Sequence, residues 1–231
     1  FASQTLVVAL GVEENGTQHV LGLWQGATEN ATVAKALLED LVARGLNQER
    51  RYLFVIDGSK ALRAAIHKVF GEEVEVQRCQ LHQRRNVKDH LPEPCRGEYD
   101  RRLRNAYAMS SYPEAQQALE RLWRQLCEVN PSAARSLEEG MEETLTLHRL
   151  GVSPLLRRSL STTNLIESCL SAVRHVARNV NRWRAGDHIA RWTAAGLLEA
   201  EKKFRKVKGY RELKELNRIL NPELHSQAQV A

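Results

Sequence analysis

The sequence predicts an α/β fold: a mixed sheet with helices packed on it, interrupted by an all-helical insertion and followed by a basic, helical C-terminal region. Three observations carry this. The first ninety residues alternate in the order β-β-α-β-α-β-α. After Pro92 and Pro94, residues 96–150 show helical periodicity and no strand signal. Hydrophobic residues make up 42% of the 231, enough for a core, and the charged fraction of 27% is ordinary for a globular chain.

Each element follows from local chemistry. TLVVALGV (5–12) and HVLGLWQ (19–25) read as the strands of a hairpin, because Asn15-Gly16 between them is a strong turn signal. Residues 31–44 carry Val33, Leu37, Leu38 and Leu41 at helical spacing, and Gly45 follows as a C-cap. RYLFVI is a short apolar strand. A helix from about Lys60 to Phe70 turns Leu62, Ala65, Ile66 and Val69 inward, and Gly71 stops it. VEVQRC (74–79) is a further strand and QLHQRRNVKDHL a further helix. In the insertion, Pro113 and Pro131 stand at first helical turns, and Gly151 and Pro154 mark its end. STTNLIESCLSAVRHVARNVNRW then runs as one long helix, with two more after it. The expected division is 1–91 for the first part of the core, 92–155 for the insertion, 156–220 for the rest of the core, and 221–231 for a flexible tail.

Composition narrows the function classes. Lys and Arg number 34 against 28 Asp and Glu, so the net charge is +6, which permits a polyanion partner without requiring one. Cys79, Cys95, Cys127 and Cys169 have no framework spacing and suit a reducing compartment. No apolar run approaches the roughly 20 residues that span a bilayer. The opening FASQTLVVALGV has neither a basic leader nor a starting methionine, and the expectation is that it begins inside a longer protein.

Asp57 stands where the apolar strand meets the next helix. Such an Asp often serves as a cap or turn former. Alternatively, open α/β sheets bind ligands at the carboxyl ends of their strands, and a carboxylate there can hold a hard divalent cation. GSK lacks the glycine-rich lead of a phosphate loop. Glu167, in STTNLIES, offers a second acid. Ile166, Leu170, Val173, Ala177 and Val180 form an apolar stripe, and Glu167 lies beside it. Arg174 and Arg178 follow Glu167 by seven and eleven positions, within about 20° of one helical line. This pattern is either a solvated helix face or a metal ligand with a row of phosphate-binding arginines running from it. In RCQLHQRRN, Cys79 and His82 are three apart. Zinc needs four ligands and no matching pair stands elsewhere, so a buried Cys with a hydrogen-bonded His is at least as good a reading. Arg78, Arg84 and Arg85 make the neighbourhood basic.

The ordered set VIDGSKALRAAIHKVFG, VQRCQLHQRRNV, STTNLIES and RWRAGDHIARWTAAGLLEAEKKFRKVKGYREL resembles the mutator-type transposases of bacterial insertion sequences. The resemblance covers nearly the whole chain. It implies an RNase H-like core with a DDE triad interrupted by a helical insertion. Asp57 is then the second acid and Glu167 the third, both metal ligands. Cys79 and His82 match the family's C-x-x-H, and Asn164 the run before the Glu. Arg84, Arg85, Arg174, Arg178 and Arg182 are the expected DNA contacts. The first acid is missing: Glu13 and Glu14 sit in the hairpin turn and Glu29 follows both strands. In such folds the first strand is central, so its absence implies an incomplete sheet and site, and a fragment of a longer protein or a decayed copy.

The chemistry so implied is DNA transposition by phosphoryl transfer. Two Mg²⁺ ions, with Mn²⁺ as substitute, stand about 3.5–4 Å apart. Water frees a 3′-hydroxyl at the element's end, and that hydroxyl attacks target DNA. The implied partners are double-stranded DNA, both terminal repeats and target, and further copies of the chain, with no membrane. The implied location is the cytoplasm, at the nucleoid. Three alternatives stand beside it: an inactive DNA-binding remnant, a non-enzymatic helical interaction protein, and a nuclease of the same fold that only hydrolyses.

Overall fold

The computed structural model describes residues 5–26, 31–178 and 188–223. Along the chain these form β1 (Thr5–Val12), β2 (Gln18–Gly26), α1 (Ala31–Ala43), β3 (Leu53–Ile56), α2 (Lys60–Phe70), β4 (Glu75–Arg78) and α3 (Gln80–Asp89). The insertion follows as α4 (Glu93–Tyr107), α5 (Tyr112–Val129), α6 (Pro131–Glu138), the single turns α7 (Met141–Thr144) and α8 (Thr146–Arg149), and α9 (Pro154–Leu160). The remainder is α10 (Asn164–Ala177), α11 (His188–Glu201), a 3₁₀ turn (Tyr210–Glu212) and α12 (Leu213–Leu220). The architecture is mixed α/β and mostly helical. Its strands form two pairs, β1 antiparallel to β2 and β3 parallel to β4. Among the described residues no ladder joins the two pairs.

The chain divides into two compact units. One draws on residues 1–52, 59–74 and 164–231. Its hairpin turns at Gly16, whose φ of +85° is a conformation that glycine alone adopts without strain. Asn15 accepts the Thr17 N–H at 2.7 Å and fixes that turn. Leu21 is the extra residue of a β-bulge, since Ala9 pairs with Gly22 and Leu10 with Val20. The bulge puts Val20 and Leu23 on one face with Val8, against the core of Cys169, Val173, Leu197 and Ala200 from α10 and α11. These helices cross closely because residue 196 is glycine; a Cβ there would stand 3.0 Å from the Val173 backbone. Helix α1 buries Ala34, Leu37, Leu38 and Leu41 and ends in a Schellman motif, Leu46 N–H to Leu41 O and Gly45 N–H to Val42 O.

The same unit corrects two expectations. The apolar stripe of α10 is the predicted one only in part: Val173 is buried as expected and Cys169 is buried with it, whereas Ile166 and Leu170 are half-buried, because the crossing at Gly196 sets the face. The helix is described only to Ala177, and the rest of the long helix expected there lies largely in 179–187, outside the described residues. The tail predicted from 221 starts too early, since Asn221 is fully buried. It accepts the Arg51 N–H at 2.8 Å and donates to the Arg51 carbonyl at 3.1 Å. Residues 224–231 lie outside the description.

The second unit draws on 53–58 and 75–163. Its core is the insertion: Leu103, Leu119, Leu126, Leu137 and Leu145 are all at most 1% exposed. Proline begins α6 and lies in the first turn of α5, and Ser111 with Glu114 completes a capping box on α5. Three glutamines tie this helical body to β4 and α3. Gln77 is fully buried; its amide donates to the carbonyls of Arg78 (2.7 Å) and Thr144 (2.9 Å) and accepts the Leu147 N–H at 3.0 Å. Gln80 also donates to the Thr144 carbonyl, at 2.8 Å, and Gln83 to the carbonyl of Ser136 at 2.5 Å. The break between α7 and α8 leaves the Thr144 carbonyl and the Leu147 N–H for other partners, which Gln77 and Gln80 supply, while Gln83 serves carbonyls near the end of α6.

Replacing Gln77 by Leu orphans the buried Leu147 N–H. The expected cost is about 1–3 kcal/mol, read as a lower urea midpoint with an unchanged slope. Buried His148 gives a second test. Burial, and the neighbouring Arg157 charge after it, push its pKa down to about 4. The unfolded chain takes the proton near 6.5, so between these values it binds more protons than the folded chain. Stability is therefore full above pH 6.5 and falls toward pH 4, and His148→Gln should flatten that fall in urea titrations at stepped pH.

Candidate active site

The short parallel pair β3–β4 builds the site's floor. Ile56 stands beside Arg78 at its carboxyl end, and the Ile56 carbonyl accepts the Cys79 N–H at 2.7 Å. The chain leaves β3 as Asp57-Gly58, with Gly58 at φ +105°. Asp57 is exposed. The cap of α2 is Ser59, whose hydroxyl accepts the Leu62 N–H at 3.4 Å, and Asp57 stands two residues before it. It remains a carboxylate at the carboxyl end of a parallel strand, where ligands bind in such sheets.

The C-x-x-H element begins where β4 ends. Cys79 is fully buried, and its sulfur accepts both the N–H and the hydroxyl of Thr163 at 3.4 Å. That Thr163 hydroxyl lies 3.3 Å from His82 Nδ1. One residue earlier in space, the Gln80 N–H donates to the Ser161 carbonyl at 2.9 Å. Cys79 and His82 thus fasten the Ser-Thr-Thr run to the end of β4. Asn164, exposed, starts α10, and Glu167 lies half-buried in its first turn. Asp57 belongs to one compact unit and Glu167 to the other.

Among the described residues no group of three or more His, Cys, Asp or Glu is placed to hold a metal ion. Asp57 and Glu167 are each hard oxygen donors of the kind Mg²⁺ takes.

The predicted DNA-contacting arginines separate. Arg85, Arg174 and Arg178 are exposed. Arg84 is half-buried and grips Asp100 with bonds of 2.8–3.0 Å, while Lys88 and Arg104 stand on the same carboxylate. Burial pushes the Asp100 carboxyl up, but the Arg84 hydrogen bonds and these three charges outweigh it and hold it below the usual range. Arg84 therefore joins α3 to α4. Arg182 lies outside the described residues. Sequence reasoning offered Thr163 only as a helix cap, not as a partner of Cys79, and passed over the three glutamines; the spacing of Gln77, Gln80 and Gln83 by three was the available signal.

A chain with a carboxylate on a parallel strand end, a C-x-x-H fastened to a Thr-Thr-Asn run, and a helical body inserted between them fits the transposase class. The sequence model of "Transposase, Mutator family" matches residues 1–206, and the chain belongs to that family. It is 28% identical over 170 residues to the transposase for insertion sequence element IST2 of Acidithiobacillus ferrooxidans, covering 74% of this chain and 56% of that one. Against the transposase for insertion sequence element ISRM5 of Rhizobium meliloti (strain 1021) it is 30% identical over 172 residues, 74% and 42% of the two chains. Against that for IS406 of Burkholderia multivorans the identity is 27% over 206 residues, 89% and 52%. The chain thus spans about half the length of these curated relatives.

The Cys79–Thr163 fastening is testable by a double-mutant cycle. Cys79→Ala and Thr163→Val should each lower stability, and their coupling energy should be about 0.5–3 kcal/mol, measured by urea unfolding.

Proposed function

We propose that this chain supplies the second and third acids of a DNA transposase, Asp57 and Glu167, within an RNase H-like core that carries out metal-dependent strand cleavage and transfer of an insertion sequence. Membership of the Mutator family carries the reading. The bonds from Ile56 to Cys79 and from Cys79 to Thr163 support it, since they hold the Thr-Thr-Asn run at the strand end that bears Asp57. The two strand pairs also support it: an RNase H-like sheet deprived of its central first strand leaves one antiparallel and one parallel pair. In this reading a further carboxylate completes the triad.

Bound Mg²⁺ would activate the attacking oxygen and stabilise the leaving one. The chain's own part is to present carboxylates, to orient them and to hold DNA. Asp57 is carried on a short strand whose partner, β4, is anchored by buried glutamines. Glu167 is carried in the first turn of α10. The exposed Arg85, Arg174 and Arg178 would neutralise backbone phosphates, with Arg84 holding α3 in place. Duplex DNA, with terminal repeats and target, is the proposed partner, bound by more than one copy of the chain in the cytoplasm. No described helix is long and apolar enough to cross a membrane.

The test uses the full-length transposase. Asp57→Asn and Glu167→Gln should each lower Mg²⁺-dependent cleavage of element-end DNA by more than the roughly 10–100-fold that loss of an outer metal partner costs, with DNA binding retained. Undiminished cleavage in either variant would remove that acid from the reaction. Hydrolysis without joined products would identify a nuclease instead.

A further inference from the structure

We propose that Arg78 is an oxyanion-binding residue: its guanidinium, held between Gly58 and Gly140 at the carboxyl end of β3–β4, takes a phosphate oxygen of the DNA backbone beside Asp57. The inference rests on the transposase reading and deepens it by naming where a phosphodiester is gripped.

Position comes first. Arg78 is the last residue of β4 and pairs with Ile56, one residue before Asp57. It therefore stands at the end of a parallel strand pair where ligands dock. Its surroundings are shaped to its side chain. A Cβ on Gly58 would lie 2.5 Å from Arg78 Nε, and one on Gly140 would lie 2.6 Å from both Cδ and Nη1. Two backbone segments far apart in sequence thus leave room for one planar guanidinium.

Its bonding is incomplete. Arg78 is 7% exposed, and its Nε is enclosed with no hydrogen-bond partner. Two other arginines of the same unit, Arg157 buried and Arg84 half-buried, behave differently. Arg157 donates to the carbonyls of Met109 and Ser110, and Arg84 to Asp100. No ion pair involves Arg78 among the described residues. A permanently charged group withdrawn from water without a counter-charge is unfavourable, and an anionic ligand relieves that. The guanidinium fork matches a phosphate's oxygens in two parallel bonds, which a lysine cannot reproduce. The neighbouring Asp57 is exposed, so the strand end is open to solvent on that side.

The experiment measures binding of this chain to a short duplex DNA by fluorescence anisotropy across a salt series, with thermal melts on every variant. Each neutralised phosphate contributes about 0.9 to the log–log salt slope. Arg78→Met should lower the slope by about one and weaken binding severalfold. Arg78→Lys should retain the slope with weakened binding. Gly140→Ala keeps the chain's charge but displaces the guanidinium, and should lose as much slope as Arg78→Met; it also stands in if Arg78→Met fails to fold. A steep wild-type slope that survives in both Arg78→Met and Gly140→Ala overturns the Arg78 assignment and leaves the transposase reading intact. A wild-type chain whose binding is weak and independent of salt overturns both.

Discussion

The buried amide of Gln77 is the interaction on which the second unit depends. A four-residue parallel pair has little stability of its own, since its ladder is short and its edges are open. Gln77 uses both ends of its amide on the insertion, holding the Thr144 carbonyl and the Leu147 N–H across 67 and 70 positions of sequence. The Thr146 hydroxyl answers by donating to the Val76 carbonyl at 2.7 Å. These bonds are buried, where an unmade bond is costly and a made one specifies a single arrangement. The insertion is therefore a brace for the strand whose end carries Arg78 and Cys79, and not a separate appendage.

That brace explains the architecture of the C-x-x-H element. With β4 held, Cys79 occupies a fixed point at the strand end, and its sulfur gathers the N–H and hydroxyl of Thr163. His82, one helical turn on, meets the same hydroxyl. The element thus acts as a clasp on the residues that lead into the Glu167 helix. The clasp needs a small, fully buried acceptor, which a cysteine supplies at low desolvation cost.

Family membership and geometry contribute different things. The family ties the chain to transposases of insertion sequences, over about half the length of those relatives. The geometry shows what individual side chains meet. It pairs Arg84 with Asp100, makes Ser59 the cap of α2, and brings forward Arg78, which in sequence is one basic residue among several.

The sequence by itself determined whatever depends on neighbours a few positions away. The hairpin at Asn15-Gly16, the span of α2 from Lys60 to Phe70, the glycine stops at 45 and 71 and the proline-led helices of the insertion are local consequences of dihedral freedom and side-chain period. It also exposed the ordered motifs, because a distinctive order survives without knowledge of distance. Tertiary structure alone decided the pairing of strands, the buried face of α10 against Gly196, and the burial of Asn221 on Arg51. It alone distinguished the arginine that meets a carboxylate from the one that meets two glycines. Such outcomes depend on which distant backbone segments approach a side chain, and a linear pattern of charge and hydrophobicity carries no record of that approach.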